Sequence, residues 1–355
     1  DFLPPAPRRL MVVLNPVGGK RDGRDKYRRI VAPVLNIVQG LAVEVVETER
    51  PKHAMELAAK YDSTRFQGLV CVGGDGTVHE VINGLGARRS EVPLGVIGTG
   101  SGNGLAKYIA SCDLETAAFH IARGHSSPMD LLEVVMSPSV EPLSAPGTHT
   151  SSLISLLHVS YAIVSDVDRE SEAVWFLGVA RFTVWAIWLI LKQRMYPLRV
   201  RYRAAVDSAW ASLDDNYFWW AAGNCPWMSS DMYMCPFGHI RDGLLDLNFI
   251  RQCNRLQTAW ILLNAETGTH VDSPVWERTP AAEVEVTVPP HPSRGFACRL
   301  DVDGEFFTLR EETTVRVKSL PDALNIFVWS NDEHFAKPTE PSPPPATFIR
   351  KPKEL

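Results

Sequence analysis

An α/β first domain followed by a β-rich second domain is the architecture this sequence predicts, and three observations carry it. Short apolar runs alternate with amphipathic stretches through the first third. Alternating strand patterns take over after about residue 127. Glycine-rich loops close three of the early strands. Residues 10–14 read as a buried strand and 22–38 as a helix. Strands at 41–47, 69–72 and 94–97 are followed by helices at 51–61, 77–86 and 102–111. Strands separated by helices form a parallel sheet covered on both faces. Ligands of such sheets bind outside the carboxyl ends of the strands, which here carry residues 15–20, 73–77 and 98–104.

The division falls at 8–127 for the first domain and 128–330 for the second. Residues 282–288 place Val284, Val286 and Val288 on one face and Glu283 and Glu285 on the other. Further strands are expected at 131–136, 154–164, 198–206, 217–223, 244–251, 297–302 and 314–318, with helices near 171–193 and 255–265. Many short strands with turn signals predict a sandwich-like domain. A last strand near 324–329 is free to return to the first domain. Residues 137–150 have loop composition, and the Pro-rich tail, 337–355, reads as disordered.

The chain has 355 residues, 45% hydrophobic and 22% charged, which excludes disorder of the whole. A net charge of −5 provides no field for nucleic acid, so none is expected as a partner. Positive charge gathers locally: residues 1–30 hold eight Lys and Arg against three Asp. That is either a solvated helix face or the neighbourhood of an anionic ligand. The six cysteines form no C-x-x-C pair, so no zinc site or disulfide framework is expected, and no metal-ligating side chains are assigned. Reduced thiols fit a cytoplasmic protein. The chain opens on Asp1 rather than Met, as a fragment would, and shows no secretory signal. Residues 174–191 are apolar and long enough to cross a bilayer, but Arg181 near the middle favours a buried or lipid-binding helix.

The loops carry the chemistry. Gly73-Gly74-Asp75-Gly76-Thr77 follows an apolar strand and opens a helix. Glycines let backbone N–H groups approach a phosphate, and a helix N-terminus favours an anion. An aspartate inside a phosphate loop makes sense if Asp75 takes a proton from an attacking hydroxyl, or helps to position a metal-bound phosphate. Alternatively it is a turn residue that caps the helix. Thr77-x-x-Glu80 fits a capping box, which would make Glu80 structural. Lys20, after Asn15-Pro16-Val17-Gly18-Gly19, either reaches a phosphate or is a solvated turn lysine. Four glycines within residues 98–104 exceed what a tight turn needs and point to close backbone approach to a ligand. Walker A, dinucleotide, nucleophile-elbow and protein-kinase motifs all fail by spacing.

LNPVGGK at 14–20, GGDGTVHEVINGL at 73–85 and GTGSGNGLA at 98–106 together resemble the catalytic domain of diacylglycerol-kinase-type lipid kinases. Within that group, four details resemble sphingosine kinases. They are Thr48-Glu49-Arg50 with His53-Ala54, the Ser101-Gly102-Asn103 triplet, residues 165–172, and Leu177-Gly178 with Arg181-Phe182. The resemblance runs from about 10 to 318. It implies an NAD-kinase/diacylglycerol-kinase-like fold, a Rossmann-like α/β N-terminal domain plus a β-rich sandwich-like C-terminal domain, with ATP between them. Asp75 then matches the general base. Asn15, Pro16, Val17, Lys20, Thr48, Gly73, Gly74, Gly76, Thr77, Glu80, Gly100, Ser101 and Gly102 match the nucleotide site, with Arg181 on the phosphates. Asp303, Gly304 and Glu305 match a loop closing over the nucleotide, and Asp168 the carboxylate on the headgroup of sphingosine, beside Asp75 and Gly74. Trp175 stands where animal sphingosine kinases carry a second phosphate-binding arginine.

The resemblance thus implies ATP and Mg2+ as cofactors, and sphingosine or another long-chain base as substrate. It also implies peripheral attachment to a membrane surface and leaves a homodimer open. The apolar stretch 174–191, with Trp185 and Trp188, either walls a tunnel for the lipid chain or packs an ordinary core. Diacylglycerol, ceramide or NAD kinase activity, and a lipid-binding regulator, are the alternatives.

Overall fold

The computed structural model describes residues 7–110, 112–145, 147–163, 188, 191–290 and 298–328. Asp168, Trp175, Arg181, Trp185, most of the helix expected at 171–193, and the tail 337–355 lie outside the described residues.

Strands β1 (Arg8–Leu14), β2 (Leu41–Glu47), β3 (Gly68–Gly73) and β4 (Leu94–Gly98) lie parallel in the order β2-β1-β3-β4. β3 is buried along its whole length, which is why its sequence is apolar without alternation. The helical segments between them are α1 (Gly23–Lys26), continued through a π-helical turn into α2 (Ala32–Ile37), then α3 (His53–Ala59), α4 (Asp75–Leu85) and α5 (Gly104–Ala110). A further helix, α6 (Leu114–Arg123), was not expected. Asp113 caps it by accepting from the Thr116 N–H, and Gly124 ends it with φ +73°.

The second region contributes β5 (Ser126–Val140), β6 (Thr150–Ser155), β7 (His158–Ala162), β8 (Tyr196–Arg203), β9 (Ala211–Ser212), β10 (Asp215–Tyr217), β11 (Trp219–Gly223) and β12 (Leu245–Ile250). After α7 (Arg255–Leu263) come β13 (Glu277–Ala281), β14 (Glu283–Val288), β15 (Cys298–Val302), β16 (Glu305–Leu309) and β17 (Thr313–Phe327). They form two sheets. One is six-stranded, β13-β12-β11-β7-β15-β16; the other runs β10-β8-β14-β17 and continues through β4 into the parallel sheet. β17 joins them: Val317 pairs with Val284 of β14, and further along Ile326 pairs in parallel with Leu94 of β4. β5 follows β17 antiparallel along both halves. Between the sheets lies a core that includes Leu132, Tyr161, Trp220, Val284 and Phe307.

Three expectations are corrected. β5 extends through Ser137, which pairs with Thr314, to Val140, so the loop expected at 137–150 starts later. The strand expected at 154–164 is broken at residues 156–157 into β6 and β7. Val284, Val286 and Val288 are buried as expected, but so is Glu283 on the opposite face. Arg203 and Arg316 both bond its carboxylate, and this pairing permits the burial of a charge.

Candidate functional site

The carboxyl edge of the parallel sheet gathers the three loops. Thr99 N–H donates to the Gly73 carbonyl at 2.9 Å, and Thr48 N–H to the Leu14 carbonyl at 2.8 Å, so the loops after β1, β2, β3 and β4 adjoin. Asn15 donates through its amide to Thr77 Oγ1 at 3.0 Å and accepts from Val17 N–H at 3.1 Å. Val17 is exposed and Lys20 lies on the solvent side of the same loop. Gly74 and Gly100 meet backbone to backbone. A Cβ on Gly100 would lie 2.3 Å from Gly74 Cα, and one on Gly74 2.9 Å from Gly100 Cα. No side chain fits there, so the edge presents main chain, while Gly76 and Ser101 stand open to solvent.

α4 starts two residues before its expected position. Gly74 is its N-cap in extended conformation, and Asp75 is its first residue. The capping box expected at Thr77 and Glu80 is not formed. Glu80 instead accepts from the Lys52 N–H at 3.1 Å and anchors the loop that follows Thr48. The Asp75 carboxylate accepts from the Gly104 N–H at 2.8 Å and the Leu105 N–H at 3.3 Å, at the start of α5. Burial raises its pKa above the ordinary aspartate value, those two N–H groups oppose the rise, Asp303 adds to it and His158 opposes it.

Asp75, His79 and Asn83 recur every four residues on α4, and the last two reach the second region. Asn83 donates to the Ile154 carbonyl at 2.9 Å and accepts from the Ile154 N–H at 2.9 Å. His79 Nδ1 lies 2.9 Å from Asp303 Oδ2. Asp303, in the β15–β16 turn, also accepts from Ser155 Oγ and from the N–H groups of Leu156, Leu157 and His158, at 2.8–3.0 Å. Its side chain is fully buried. Burial would raise its pKa, but the bond and charge of His79, the charge of His158 and the N–H of Leu156 hold it below the ordinary value. The carboxylate is thus spent on the β6–β7 turn and on α4. Gly304, with φ +88°, gives its N–H to Asp301, and the Glu305 carboxylate bonds Ser144.

Behind Asp303 lies a second pair. His158 Nε2 is 3.0 Å from Asp301 Oδ2, which also accepts from Ser160 Oγ at 3.1 Å. From the same region, the Ser230 N–H donates to the Gly102 carbonyl at 2.7 Å, and a Cβ on Gly104 would lie 2.7 Å from the Trp227 carbonyl oxygen. The second region therefore touches the third glycine loop directly.

The edge brings together Asn15, Thr48, Gly73, Gly74, Asp75, Thr77, Gly100 and Gly102. It reaches Asp303 only through α4, and Arg181 and Asp168 lie outside the described residues. His79, Asn83, His158 and Asp301 were missed. The four-residue spacing from Asp75 was the available signal for His79 and Asn83; nothing in the sequence singled out His158 or Asp301.

The diacylglycerol kinase catalytic domain family matches residues 9–134, and the YegS C-terminal NAD kinase β-sandwich-like domain family matches residues 159–328. The chain is 26% identical to sphingosine kinase 2 of Arabidopsis thaliana over 312 residues, covering 76% of the chain and 62% of the plant protein's length. It is 26% identical to sphingosine kinase 1 of Mus musculus over 381 residues, covering 96% of each. A solved structure described as a diacylglycerol kinase from Bacillus anthracis shares the fold, with a TM-score of 0.57 at 14% identity over 91% of this chain and 97% of that one.

Proposed function

The chain belongs to the diacylglycerol-kinase-type lipid kinase family, and from that premise we propose that it transfers the terminal phosphoryl group of ATP to the primary hydroxyl of sphingosine or a related long-chain base. The observation that carries the proposal is a base beside an anion cradle. Asp75 stands at the first turn of α4, next to a backbone surface that only glycines at 74 and 100 allow. Triphosphate oxygens fit that surface, because it offers main-chain N–H groups and a helix N-terminus. Asn15, Thr48, Gly73, Thr77, Gly100, Ser101 and Gly102 line it, with Lys20 as a further cation, and family resemblance alone assigns Arg181 to the phosphates. Asp75 takes the hydroxyl proton as the oxygen attacks in line. Its raised pKa makes it a stronger base than a solvated aspartate.

Among the described residues no group of three or more His, Cys, Asp or Glu converges to cage a metal ion. That suits magnesium, which is commonly held by phosphates and one or two protein oxygens. When bound, it would offset charge on the phosphates during transfer.

Asp168 is assigned to the substrate ammonium, by charge-assisted hydrogen bonding. Peripheral attachment to membranes belongs to the same reading. α7 turns Leu256, Trp260 and Leu263 outward, and Leu256 and Leu263 are each 83% exposed. Polar residues would be expected on a solvated helix face. No helix of the described residues is long and apolar enough to cross a membrane.

The test compares lipids. Asp168→Ala should raise KM for sphingosine, and losing one partner of a desolvated charge pair costs about 2–5 kcal/mol. KM for ATP and any turnover of diacylglycerol should stay put. Equal losses on both lipids would make Asp168 structural and remove the argument for an amine substrate.

A further inference from the structure

A single side chain closes the third glycine loop. Asn103 Oδ1 accepts from the Gly100 N–H, and Asn103 Nδ2 donates to the Gly100 carbonyl, each at 2.8 Å. One carboxamide thus holds both main-chain polar groups of Gly100. A trans peptide is planar, with its N–H and C=O pointing in opposite directions. Fixing these two groups therefore fixes the groups across the two peptide bonds, the Thr99 carbonyl and the Ser101 N–H. The Thr99 carbonyl meets the first loop, where a Cβ on Gly19 would lie 2.5 Å from its oxygen. The Ser101 N–H is turned away from the clip, at an exposed residue. The Thr99 N–H is taken by the Gly73 carbonyl at 2.9 Å and that of Gly100 by Asn103. Among the described residues nothing accepts from the Ser101 N–H, so it is the first donor of the loop left for a ligand.

An ordinary helix cap does not account for Asn103. Asparagine one residue before a helix commonly gives its side-chain oxygen to an N–H of the first turn. The N–H groups that open α5, those of Gly104 and Leu105, go to the Asp75 carboxylate instead. Asn103 gives the helix only its carbonyl, which accepts from the Lys107 N–H at 2.8 Å. Its side chain turns back to Gly100, and its backbone takes φ +58°. Asparagine tolerates that conformation, but glycine adopts it more readily. A glycine would serve the turn; only the carboxamide supplies the clip.

We propose that Asn103 is a positioning residue for the phosphates of ATP: by locking both peptide planes of Gly100, it holds the Ser101 N–H toward the triphosphate. The inference rests on the reading of the glycine edge as an ATP site and adds a residue to it. The clip acts by removing freedom. Glycine accepts either sign of φ, so an unclipped Gly100 could turn its peptide over. The loop would then present the Gly100 carbonyl, an acceptor, to an anion. The far side of the loop is already tied, because the Ser230 N–H donates to the Gly102 carbonyl at 2.7 Å.

The test on the full chain is Asn103→Gly, which keeps the turn and removes the clip. Calorimetry with magnesium and ATP should give a Kd about tenfold weaker than wild type, the effect of one misdirected hydrogen bond to a charged group. In phosphoryl transfer, KM for ATP should rise while KM for sphingosine stays put. An unchanged Kd for ATP in the folded variant, or equal rises in both KM values, would overturn the proposal. A second measurement uses the unaltered protein. Amide hydrogen exchange followed by NMR should find the Gly100 N–H protected before nucleotide is added, and the Ser101 N–H protected only once ATP is bound. A Gly100 N–H that exchanges as fast as that of Ser101 in the free protein would overturn the proposal whether or not the variant folds. So would a Ser101 N–H that bound ATP leaves unprotected. Failure of wild type to bind ATP would overturn the ATP reading and the proposal together. ATP binding without transfer to any lipid would remove the lipid kinase reading alone, and the Kd comparison would still decide on Asn103.

Discussion

The two sides of the site are built from different material. On the sheet side, the loops after β1, β3 and β4 present main chain, and glycines at 74 and 100 approach until no side chain fits between them. On the β-rich side, Ser155, His158, Asp301 and Asp303 form a buried polar frame in which almost every oxygen has a named donor. Main-chain N–H groups bind an anion without titrating and without side-chain freedom to lose. Buried carboxylates and imidazoles set proton affinity, at the cost of desolvation. Asp75 belongs to α4, and its carboxylate is held by the Gly104 and Leu105 N–H groups that open α5. In the proposed reading, the division separates phosphate binding, a matter of space, from proton transfer, a matter of charge.

Substitutions can break that division at four strengths. Asp75→Asn should have the largest effect. The amide keeps the shape but cannot accept the proton, and losing a general base typically costs about 10²–10⁴-fold in kcat. ATP affinity, measured by calorimetry, should change little; a folded variant with near-normal kcat would end the assignment.

Asp303→Asn should come next, and it should act on stability. Breaking a buried, paired charge costs about 3 kcal/mol. Because the pKa of Asp303 is depressed, its ionised form stabilises the fold above the ordinary aspartate range, and that contribution is lost as pH falls through the depressed value. The gap in Tm between wild type and variant should therefore narrow in acid. A constant gap would mean that Asp303 contributes by shape alone.

Gly74→Asp should weaken ATP binding by about tenfold or more, that is ~1.4 kcal/mol, because its Cβ would press on Gly100 and its charge would face the phosphates. Gly76→Ala is the control: nothing lies within 4 Å of a Cβ there. Equal losses in the two variants would mean that space at the Gly74–Gly100 contact is not what matters. The smallest effect should follow Asn83→Ala, which removes the staple from α4 to Ile154 and should cost about 1 kcal/mol of stability in a denaturant titration. No change would show that α4 is held to the second region by His79 alone.

The glycine loops were legible because their signal is local. An apolar strand, a run of glycines and an amphipathic helix follow one another around Asp75, so both the loop edge and the place of Asp75 at a helix start could be read from the sequence. The polar frame was not legible, because its members come from residues 79, 155, 158, 301 and 303. Each taken alone looks like an ordinary turn or strand residue, and only the pairing of β7 with β15 brings them together. Asp303 was noted only through family resemblance, as part of a loop over the nucleotide, whereas its side chain turns inward. Glu283 misled for a related reason. Alternation placed it correctly opposite Val284, but not the two arginines that let it be buried. β5 was read too short because Ser137, Pro138 and Ser139 have turn chemistry, and the long partner β17, which carries the strand through them, is nearly two hundred residues away in sequence.

The central claim is that Asp75 deprotonates a lipid hydroxyl for transfer from ATP. Its most direct test supplies γ-labelled ATP and magnesium with sphingosine, phytosphingosine, ceramide, diacylglycerol and NAD in turn, using wild type and Asp75→Asn. The account predicts label on the primary hydroxyl of a long-chain base with wild type, little or none on NAD, and loss of that label in Asp75→Asn while ATP still binds. Label that appears equally with both proteins, or on no lipid at all, would contradict it.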